Sequence, residues 1–381
     1  MVGEKPSKGH DAHAIPIWFC DVSFSALEES EMRILHVITS LRIGGAEKLM
    51  VDLLPRMKAM GHDVALCVFD GVRTPFYAEL ESQGVQVIPL GHSVYSPFHI
   101  GKLVKWMRKY DIVHTHNTAC QYYVAVASLF TTCRIMTTEH NTSNRRRNVW
   151  WRILDRWMYG RYEKVVCISE LTKKNLIQHI GASFEEKCVI IYNGIDLKTY
   201  SGLPSSHITN KKKVLMVSAF REQKDQKTLI KAMKELPSDY VLELAGGGEE
   251  RLIDECKQLV RELQLDGRVE FMGVRSDIPS LLAESDVVVL SSHYEGLSLS
   301  SLEGMACGKP FIASDVEGLR DIVGGYGVLF PHEDAKVLAN EIQRLCEDEF
   351  YAKQVAAKCL ARAKMFDVKA MVRNYLHLYQ K

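Results

Sequence analysis

The sequence predicts an α/β protein built from two doubly wound domains. Short apolar runs of strand length alternate with helical patterns along most of the chain. A strand followed by a turn and a helix begins once at Arg33 and again at Val214. The stretch from Ser201 to Lys213 between these two halves contains Gly, Pro, Ser and a run of lysines and has no apolar pattern. A chain of 381 residues is long enough for two domains with separate cores.

These boundaries divide the chain into five predicted parts. Residues 1–31 have no periodicity and are predicted to form a disordered N-terminal extension, or to result from a start codon upstream of the start at Met32. The predicted parts that follow are a first domain over 32–200, a linker over 201–213, a second domain over 214–355 and a C-terminal helical segment over 356–381.

Composition excludes several classes of protein. Charged residues make up 25% of the chain and the formal net charge is +1, so nothing global indicates a nucleic-acid partner. The ten cysteines are scattered singly, with no Cys-x-x-Cys and no Cys/His cluster at metal spacing, which predicts reduced thiols. No apolar run reaches the length needed to cross a bilayer, so we expect a cytoplasmic protein.

The first domain is predicted to contain a mainly parallel sheet buried on both faces, because helical patterns separate most of its apolar runs. The predicted strands are Arg33–Thr39, Asp63–Phe69, Val85–Pro89, Ile112–His114, Cys133–Thr138 and Lys164–Ile168, and the segment Val189–Asp196 is predicted to be a closing turn. Ligands bind such sheets at the carboxyl ends of the strands.

Four residues of the first domain are candidates at that edge. Gly44 and Gly45 follow the first strand and let backbone approach a ligand with no Cβ in the way, although a Gly-Gly turn is common and is not Gly-x-Gly-x-x-Gly. His116 and His140 follow later strands. A histidine at a strand end is more often a satisfied hydrogen-bond donor than a metal ligand, and no third ligand lies near His114 and His116 in the sequence.

Residues 144–161 are the one local concentration of positive charge. Trp150, Leu154, Trp157 and Met158 fall at helical spacing, and the arginines around them are Arg145, Arg146, Arg147, Arg152 and Arg156. A basic helix with interfacial aromatics is typical of contact with an anionic membrane surface. In the alternative interpretation the aromatic stripe packs on the sheet, and the arginines are solvated or hold an acceptor phosphate.

The second domain repeats the strand and helix pattern. Its predicted strands are Val214–Ser218, Val241–Ala245, Val269–Arg275, Asp286–Leu290, Phe311–Asp315 and Gly327–Phe330, and a helical pattern continues from Asp334 to Tyr379. Arg221 and Lys224 follow the first of these strands, where cations can reach a diphosphate.

The stretch from Ser291 to Pro310 carries the main chemical signal. Glu295 lies in a turn between a buried strand and a predicted helix, and Glu303 lies two turns inside that helix. An anion at the start of the helix would meet the amides of Gly296, Leu297, Ser298 and Leu299, while Glu303 could accept two sugar hydroxyls. The alternative is a capping box formed by Ser300-x-x-Glu303 with a solvated Glu295.

The motif resembles the signature of retaining glycosyltransferase family 4. The resemblance is carried by Glu295-x7-Glu303, set in Tyr-Glu-Gly-Leu-Ser-Leu and followed by Gly-Lys-Pro-Phe-Ile-Ala-Ser-Asp, and it extends from about Arg33 to the C-terminus. It implies a GT-B fold, in which two Rossmann-like domains face each other across a cleft and the C-terminal helix crosses back to the first domain.

The resemblance also implies roles for particular residues. Glu295 would lie against the donor sugar and Glu303 would hold the ribose, while Gly44 and Gly45 would lie under the donor phosphates. His116 would contact the donor sugar. The backbone of Gly273 and Val274 would pair with the nucleobase, and Lys224 matches the family's lysine. Arg221 lies two residues after the family's usual arginine position, which Ala219 occupies. On the acceptor side the candidates are His140, Arg145 and Arg146.

The resemblance therefore predicts a glycosyltransferase that moves a sugar from a nucleotide sugar to a glycan or lipid-linked acceptor with retention of anomeric configuration. UDP is the favoured nucleotide and GDP is the alternative. The setting would be polysaccharide, lipopolysaccharide or capsule assembly, at the inner face of the membrane. No Asp-x-Asp occurs, so we expect no metal requirement and no other cofactor. A nucleotide-sugar epimerase and a noncatalytic sugar-nucleotide-binding subunit are the alternatives.

Overall fold

The computed structural model describes residues 30–42, 44–140, 149–203 and 211–381, and it contains two parallel β-sheets. The strands of the first sheet are β1 (Arg33–Ile38), β2 (Asp63–Val68), β3 (Gln86–Pro89), β4 (Ile112–His116), β5 (Arg134–Glu139), β6 (Lys164–Cys167) and β7 (Cys188–Ile190). The strands of the second sheet are β8 (Lys212–Val217), β9 (Tyr240–Ala245), β10 (Val269–Gly273), β11 (Val287–Leu290), β12 (Phe311–Ser314) and β13 (Val328–Phe330).

Both sheets are doubly wound. The first has the order β3-β2-β1-β4-β5-β6-β7 and the second β10-β9-β8-β11-β12-β13, so the strand order reverses between β1 and β4 and again between β8 and β11. All residues of β4 and β11 are buried, as expected for strands covered by helices on both faces. The predicted α/β class with two doubly wound domains is confirmed.

Helices connect successive strands on both faces of each sheet. Those of the first half are α1 (Gly45–Ala59), α2 (Pro75–Ser82), α3 (His99–Met107), α4 (Thr118–Ala127), α5 (Val149–Arg161), α6 (Glu170–Ile180) and α7 (Leu197–Tyr200). Those of the second half are α8 (Gln226–Glu235), α9 (Glu250–Glu262), α10 (Ile278–Glu284), α11 (Leu299–Ala306), α12 (Leu319–Val323), α13 (Ala335–Glu347), α14 (Glu349–Ala363) and α15 (Val368–Gln380).

The chain returns to the first domain later than residue 356, where the sequence places the start of the returning segment. Cys359 and Ala363 of α14 are buried in the core of the second domain, because this helix packs against α11. The return is made by α15, whose Met371, Tyr375 and Leu376 lie in a core of the first domain together with residues of α1. The predicted C-terminal helix that crosses back is confirmed, and it is confined to α15.

The crossing between the domains also differs from the predicted boundary at residue 200. Ile191 packs in the first domain, whereas Ile195 and Tyr200 are buried in the core of the second. The outgoing strand segment meets the returning one here, with Ile195 N–H donating to Phe366 O at 2.9 Å and Val368 N–H donating to Ile195 O at 3.0 Å. Both crossings therefore lie side by side and form one hinge.

Some predictions fall outside the described residues. Among these are residues 1–29 of the predicted extension over 1–31 and residues 204–210 of the predicted linker over 201–213. The predicted turn at Val189–Asp196 begins instead with the end of β7, a short edge strand paired with β6. In the described part of the chain, no helix combines the length and the apolar character that a bilayer crossing needs.

Candidate functional site

Most of the predicted site residues lie at the two points where the strand orders reverse. Gly44 and Gly45 follow β1, and His116 ends β4; Arg221 and Lys224 follow β8, and Glu295 follows β11. Ligands of open α/β sheets bind in the crevice at such reversal points, outside the carboxyl ends of the strands. Each domain thus contributes one such crevice.

Glu295 is a buried carboxylate held by three side chains. It is 5% exposed, and its Oε1 accepts from Lys224 Nζ at 2.5 Å and from Ser292 Oγ at 2.7 Å. Gln223 Nε2 donates to its Oε2 at 3.3 Å. The solvated-loop interpretation of Glu295 is wrong, because its carboxylate and the ammonium of Lys224 are an ion pair largely withdrawn from water. Removing one partner of such a pair leaves the other charge uncompensated.

The backbone of the turn that carries Glu295 packs closely against Gly318. Gly318 packs against it with φ of +90°, and a Cβ at this position would lie 2.0 Å from the backbone oxygen of Glu295. Any other residue would be strained by both the contact and the left-handed backbone. The glycine therefore fixes the height of the turn above the sheet.

The start of α11 is open to an anion. Ser298 is the N-cap residue with extended backbone, and its side chain does not cap the helix. The capping-box interpretation is wrong, because Ser300 lies inside the helix and Glu303 bonds elsewhere. No side chain of the cap residue therefore occupies the first-turn N–H groups of α11, and the positive end of the helix dipole lies at the same place.

Glu303 lies at the domain boundary. Its Oε1 accepts a hydrogen bond of 2.7 Å from Tyr200 OH, and burial raises the pKa of its carboxyl while the Tyr200 bond and Lys48 partly offset that effect. The group borders a cavity of about 260 Å³ between α1, α7 and α11, which Asp52 and Arg56 also line. A hydroxyl-bearing ligand could thus reach the second oxygen of Glu303.

Across this gap the glycine turn of the first domain faces α11. The nearest side-chain atom of the second domain to a Cβ placed on Gly45 would be Cδ1 of Leu299, at 4.0 Å. Glu47, in the first turn of α1, has a pKa raised by burial and partly lowered by a bond from Asn117 and by the positive charge of Arg221. Arg221 therefore lies near enough to the glycine turn to act across the gap.

Gly273 and Val274 lie at the far edge of the second sheet. Gly273 ends β10 with φ of +64°, and its carbonyl accepts from Gly246 N–H at 2.8 Å. The Val274 side chain is 61% exposed and lies over Gly247. Strands β9 and β8 separate this edge from β11. The predicted nucleobase contact at Gly273 and the predicted sugar contact at Glu295 are therefore about 14 Å apart, which is three strand spacings.

His116 does not open directly onto the crevice. It is fully buried, with its Nε2 2.9 Å from His36 Nδ1 and its Nδ1 3.1 Å from His140 Nε2. His140, at the end of β5, is the partly exposed member of this row. Burial lowers the pKa of His36 to about 3 and that of His140 to about 4, so the rings are neutral. The satisfied-donor interpretation fits them better than a metal pair.

The protonation of His36, at the buried end of the row His36–His116–His140, determines which ring donates in each hydrogen bond. Each contact between neutral imidazoles needs one N–H and one lone pair. The Nε2 of His36 is buried and has no hydrogen-bond partner among the described residues. A buried N–H without an acceptor is rarer than an unused lone pair, so the proton of His36 belongs on Nδ1. His116 then donates to His140, which carries its own proton on Nδ1 and offers a donor.

The aromatic stripe of α5 is exposed. Trp150 is 77% exposed, Trp157 42% and Leu154 40%, whereas Met158 is fully buried. The interpretation in which the whole stripe packs on the sheet is therefore wrong except for Met158. Arg145 and Arg146 lie outside the described residues.

Sequence reasoning missed several residues that hold the site together. Tyr200, Gln223 and Ser292 contact the two glutamates, and Glu47 faces Arg221. Tyr200 lies in a segment that carries no motif, whereas Gln223 lies between the predicted donor-binding residues Arg221 and Lys224. The signal for Glu47 was its place two residues after the Gly-Gly turn, where a carboxylate faces whatever binds the turn.

Two sequence families match the chain. The model described as Glycosyltransferase Family 4 matches residues 43–199, and the model described as Glycosyl transferases group 1 matches residues 204–364. Together they span both domains and every described site residue that the sequence identified.

Individual relatives agree with this. The N,N'-diacetylbacillosaminyl-diphospho-undecaprenol alpha-1,3-N-acetylgalactosaminyltransferase of Campylobacter jejuni is 30% identical over 218 residues, which are 54% of this chain and 57% of the relative. The N-acetylgalactosamine-N,N'-diacetylbacillosaminyl-diphospho-undecaprenol 4-alpha-N-acetylgalactosaminyltransferase of the same organism is 26% identical, over 89% of this chain and 97% of the relative.

Among solved structures, Anabaena HepE in complex with UDP-glucose has a TM-score of 0.82 and 25% sequence identity, covering 92% of this chain and 100% of that one. The fold, the two family matches and the relatives point the same way: the chain belongs to glycosyltransferase family 4 and is a glycosyltransferase of the GT-B fold.

Proposed function

We propose that this enzyme transfers a sugar from a UDP-linked donor to a lipid-linked diphosphate acceptor, with retention of configuration at the anomeric carbon. The observation that carries the proposal is the buried Glu295–Lys224 pair beside the open start of α11, facing the glycine turn of the first domain. The names of the two Campylobacter relatives specify a diphospho-undecaprenol-linked substrate, and the Anabaena structure contains UDP-glucose. These likenesses support the choice of acceptor and nucleotide.

The diphosphate would lie at the start of α11, within reach of Lys224 and Arg221. Breaking the bond between the anomeric carbon and the diphosphate oxygen leaves negative charge on the diphosphate, and fixed cations and amides stabilise that charge as it develops. Glu303 would accept hydroxyls of the ribose. Since these groups supply positive charge, we propose that the transfer itself has no need of Mg²⁺, and adding Mg²⁺ to chelated enzyme would leave the rate unchanged.

With retention, the acceptor oxygen approaches the anomeric carbon on the face from which the diphosphate leaves. The departing phosphate oxygen is then the nearest base for the proton of the acceptor hydroxyl. Glu295 orients the sugar and stabilises positive charge near the anomeric carbon. His140, with its proton on Nδ1, would donate to an acceptor oxygen; its lowered pKa makes it a neutral donor rather than a cation.

Helix α5 suits a membrane surface on which a lipid-linked acceptor would be presented. Trp150, Ile153 and Trp157 are exposed, and the opposite face is anchored by Asp155, whose carboxylate accepts from His179 Nε2 at 2.7 Å. Exposed aromatics on a basic helix lie in the interfacial region of anionic bilayers. We propose that this face of α5 sits on the membrane at the side of the lipid acceptor.

The direct test is transfer of labelled sugar from UDP-linked donors to membrane extract and to synthetic lipid-diphosphate sugars. Glu295→Gln keeps the shape of the side chain and removes its charge, so kcat should fall by about 100-fold or more while UDP still binds. The matched control is Glu317→Gln, an exposed glutamate paired with Lys174, which should transfer at the unaltered rate. The proposal would be contradicted if the enzyme converted one nucleotide sugar into another without any acceptor, or if Glu295→Gln kept full turnover.

A further inference from the structure

Three loops at the carboxyl edge of the second sheet bring together side chains with metal-binding chemistry. They follow β8, β11 and β13 and contribute Asp225, His293, and His332 with Glu333. His293 Nδ1 lies 2.7 Å from His332 Nε2 and 3.6 Å from Glu333 Oε1. One ligand atom from each of His293, His332 and Glu333 lies within 4.8 Å of the others. Spacing along the chain does not reveal this cluster, because residues 225, 293 and 332 are far apart in the sequence.

A separate observation indicates that the cluster lacks a partner. The Asp225 side chain is only 7% exposed, and its Oδ1 caps α8 by accepting from Thr228 N–H at 3.2 Å. Its Oδ2 has no hydrogen-bond partner among the described residues and lies 3.9 Å from His293 Nδ1. Leaving a buried carboxylate oxygen without a donor costs free energy, and such an oxygen is commonly the sign of a missing ion or water.

The donor set selects the kind of cation. Two imidazole nitrogens and carboxylate oxygens suit a borderline divalent transition metal, whereas Mg²⁺ and Ca²⁺ prefer all-oxygen sites. In a tetrahedral Zn²⁺ site with bonds of 2.0–2.1 Å, neighbouring ligand atoms are about 3.3 Å apart. The separations of 2.7 and 3.6 Å bracket this value, and the 3.9 Å between His293 Nδ1 and Asp225 Oδ2 lies just above it.

We propose that His293, His332 and Glu333, with the free carboxylate oxygen of Asp225, bind one Zn²⁺ ion that clamps three loops of the second domain together. The four proposed ligands include none of the groups assigned to the transfer reaction, so the proposal does not depend on that reaction.

The clamp would act on the donor site through the loop that follows β8. Asp225 directly follows Lys224, and His293 N–H donates to Gln223 O at 2.8 Å. Gln223 and Lys224 both hold the carboxylate of Glu295. Binding of a metal to Asp225 and His293 would therefore restrain the segment that positions Lys224 against Glu295, and it would stabilise the folded second domain by mass action.

The test is Zn²⁺ binding to the full chain after removal of metals, by equilibrium dialysis and by calorimetric titration with ZnCl₂. We expect one site per chain in the unaltered protein. Replacing a ligand, as in His332→Ala, should weaken this site by more than about 100-fold, since changes to outer-shell partners alone cost about 10- to 100-fold. Glu333→Gln should weaken it as well, and the thermal midpoint of the metal-free protein should rise on adding ZnCl₂.

Two controls separate this site from other histidines and from catalysis. His92→Ala removes an exposed histidine elsewhere and should leave the site intact. Glu295→Gln keeps all four proposed ligands, so it should still bind one Zn²⁺ per chain while losing transfer, and failure of the proposed reaction and failure of the metal site therefore give different results. Equal Zn²⁺ binding by the unaltered chain and by His332→Ala would overturn the proposal, as would loss of the site in His92→Ala.

Discussion

At the scale of single residues, the buried imidazoles of the first domain show how a fold keeps ionisable groups neutral. His114 stacks against His36 with ring centroids 5.4 Å apart, and its Nδ1 lies 2.8 Å from Tyr379 OH. Burial is the largest cause of the lowered pKa of each of these rings. Their neutrality is what allows a row of nitrogen-to-nitrogen hydrogen bonds, because two charged rings at these distances would repel each other.

The lowered pKa values predict a pH dependence of stability. Below pH 6.5 the unfolded histidines take up protons, while His36 and His140 in the folded chain stay neutral down to about pH 3 and 4. The free energy of unfolding should therefore fall as the pH drops from 6.5 to 4.5, by about 1.4 kcal/mol per pH unit for each such histidine. Urea denaturation at several pH values in this window measures the slope.

Variants assign that slope to particular rings. His36→Phe keeps a buried aromatic ring and removes one titrating group, so its slope should be smaller by about 1.4 kcal/mol per pH unit. His92→Gln changes an exposed histidine and should leave the slope as it was. If His36→Phe retained the full slope, the buried row would not be the source of the acid sensitivity.

At the scale of elements, α5 is exceptional because one of its faces carries large apolar side chains into solvent. Trp150 and Ile153 are 77% and 57% exposed, while Met158 and Tyr159 on the opposite face are buried. The spacing in the sequence identified the stripe but could not decide which way it faces. Burial of the helix depends on the neighbouring α4 and α6, whose contacts take up the other side.

This face predicts binding to anionic vesicles. Replacing Trp150, Ile153 and Trp157 together by Ser should weaken binding to phosphatidylglycerol vesicles by about tenfold or more for each side chain replaced, because each apolar side chain buried in the bilayer contributes about 1.5–3 kcal/mol. Vesicle sedimentation measures the partition. A matched control replaces Tyr95 and Phe98, which are 80% and 78% exposed and lie before α3. Equal losses in both variants would point to nonspecific adhesion instead.

At the scale of the whole molecule, most of the architecture was predictable, and the side-chain contacts between distant segments were not. Near-continuous apolar runs identified the strands except β7, which has only three residues, two of them partly buried. The pairing of Lys224 with the Glu295 turn followed from their positions after β8 and β11. The bond between Tyr200 and Glu303 did not, because residues 103 positions apart along the chain meet only when α7 packs against α11 in the folded second domain. The same holds for the cluster of Asp225, His293 and His332.

The return of α15 to the first domain predicts which half of the molecule a core mutation weakens. Leu376 is 3% exposed and packs in the core that α15 shares with α1, whereas the cores of the second domain end with α14 and Phe366. Leu376→Ala should cost about 2–5 kcal/mol, and the loss should fall on the first domain. Differential scanning calorimetry with and without UDP tests this, because a nucleotide bound to the second domain should raise only the transition temperature of that domain.

The control is His377→Ala, at the exposed neighbouring position, which should change neither transition. A uniform shift of all transitions in Leu376→Ala would mean that the hinge at Ile195 and Val368 couples the domains into one cooperative unit.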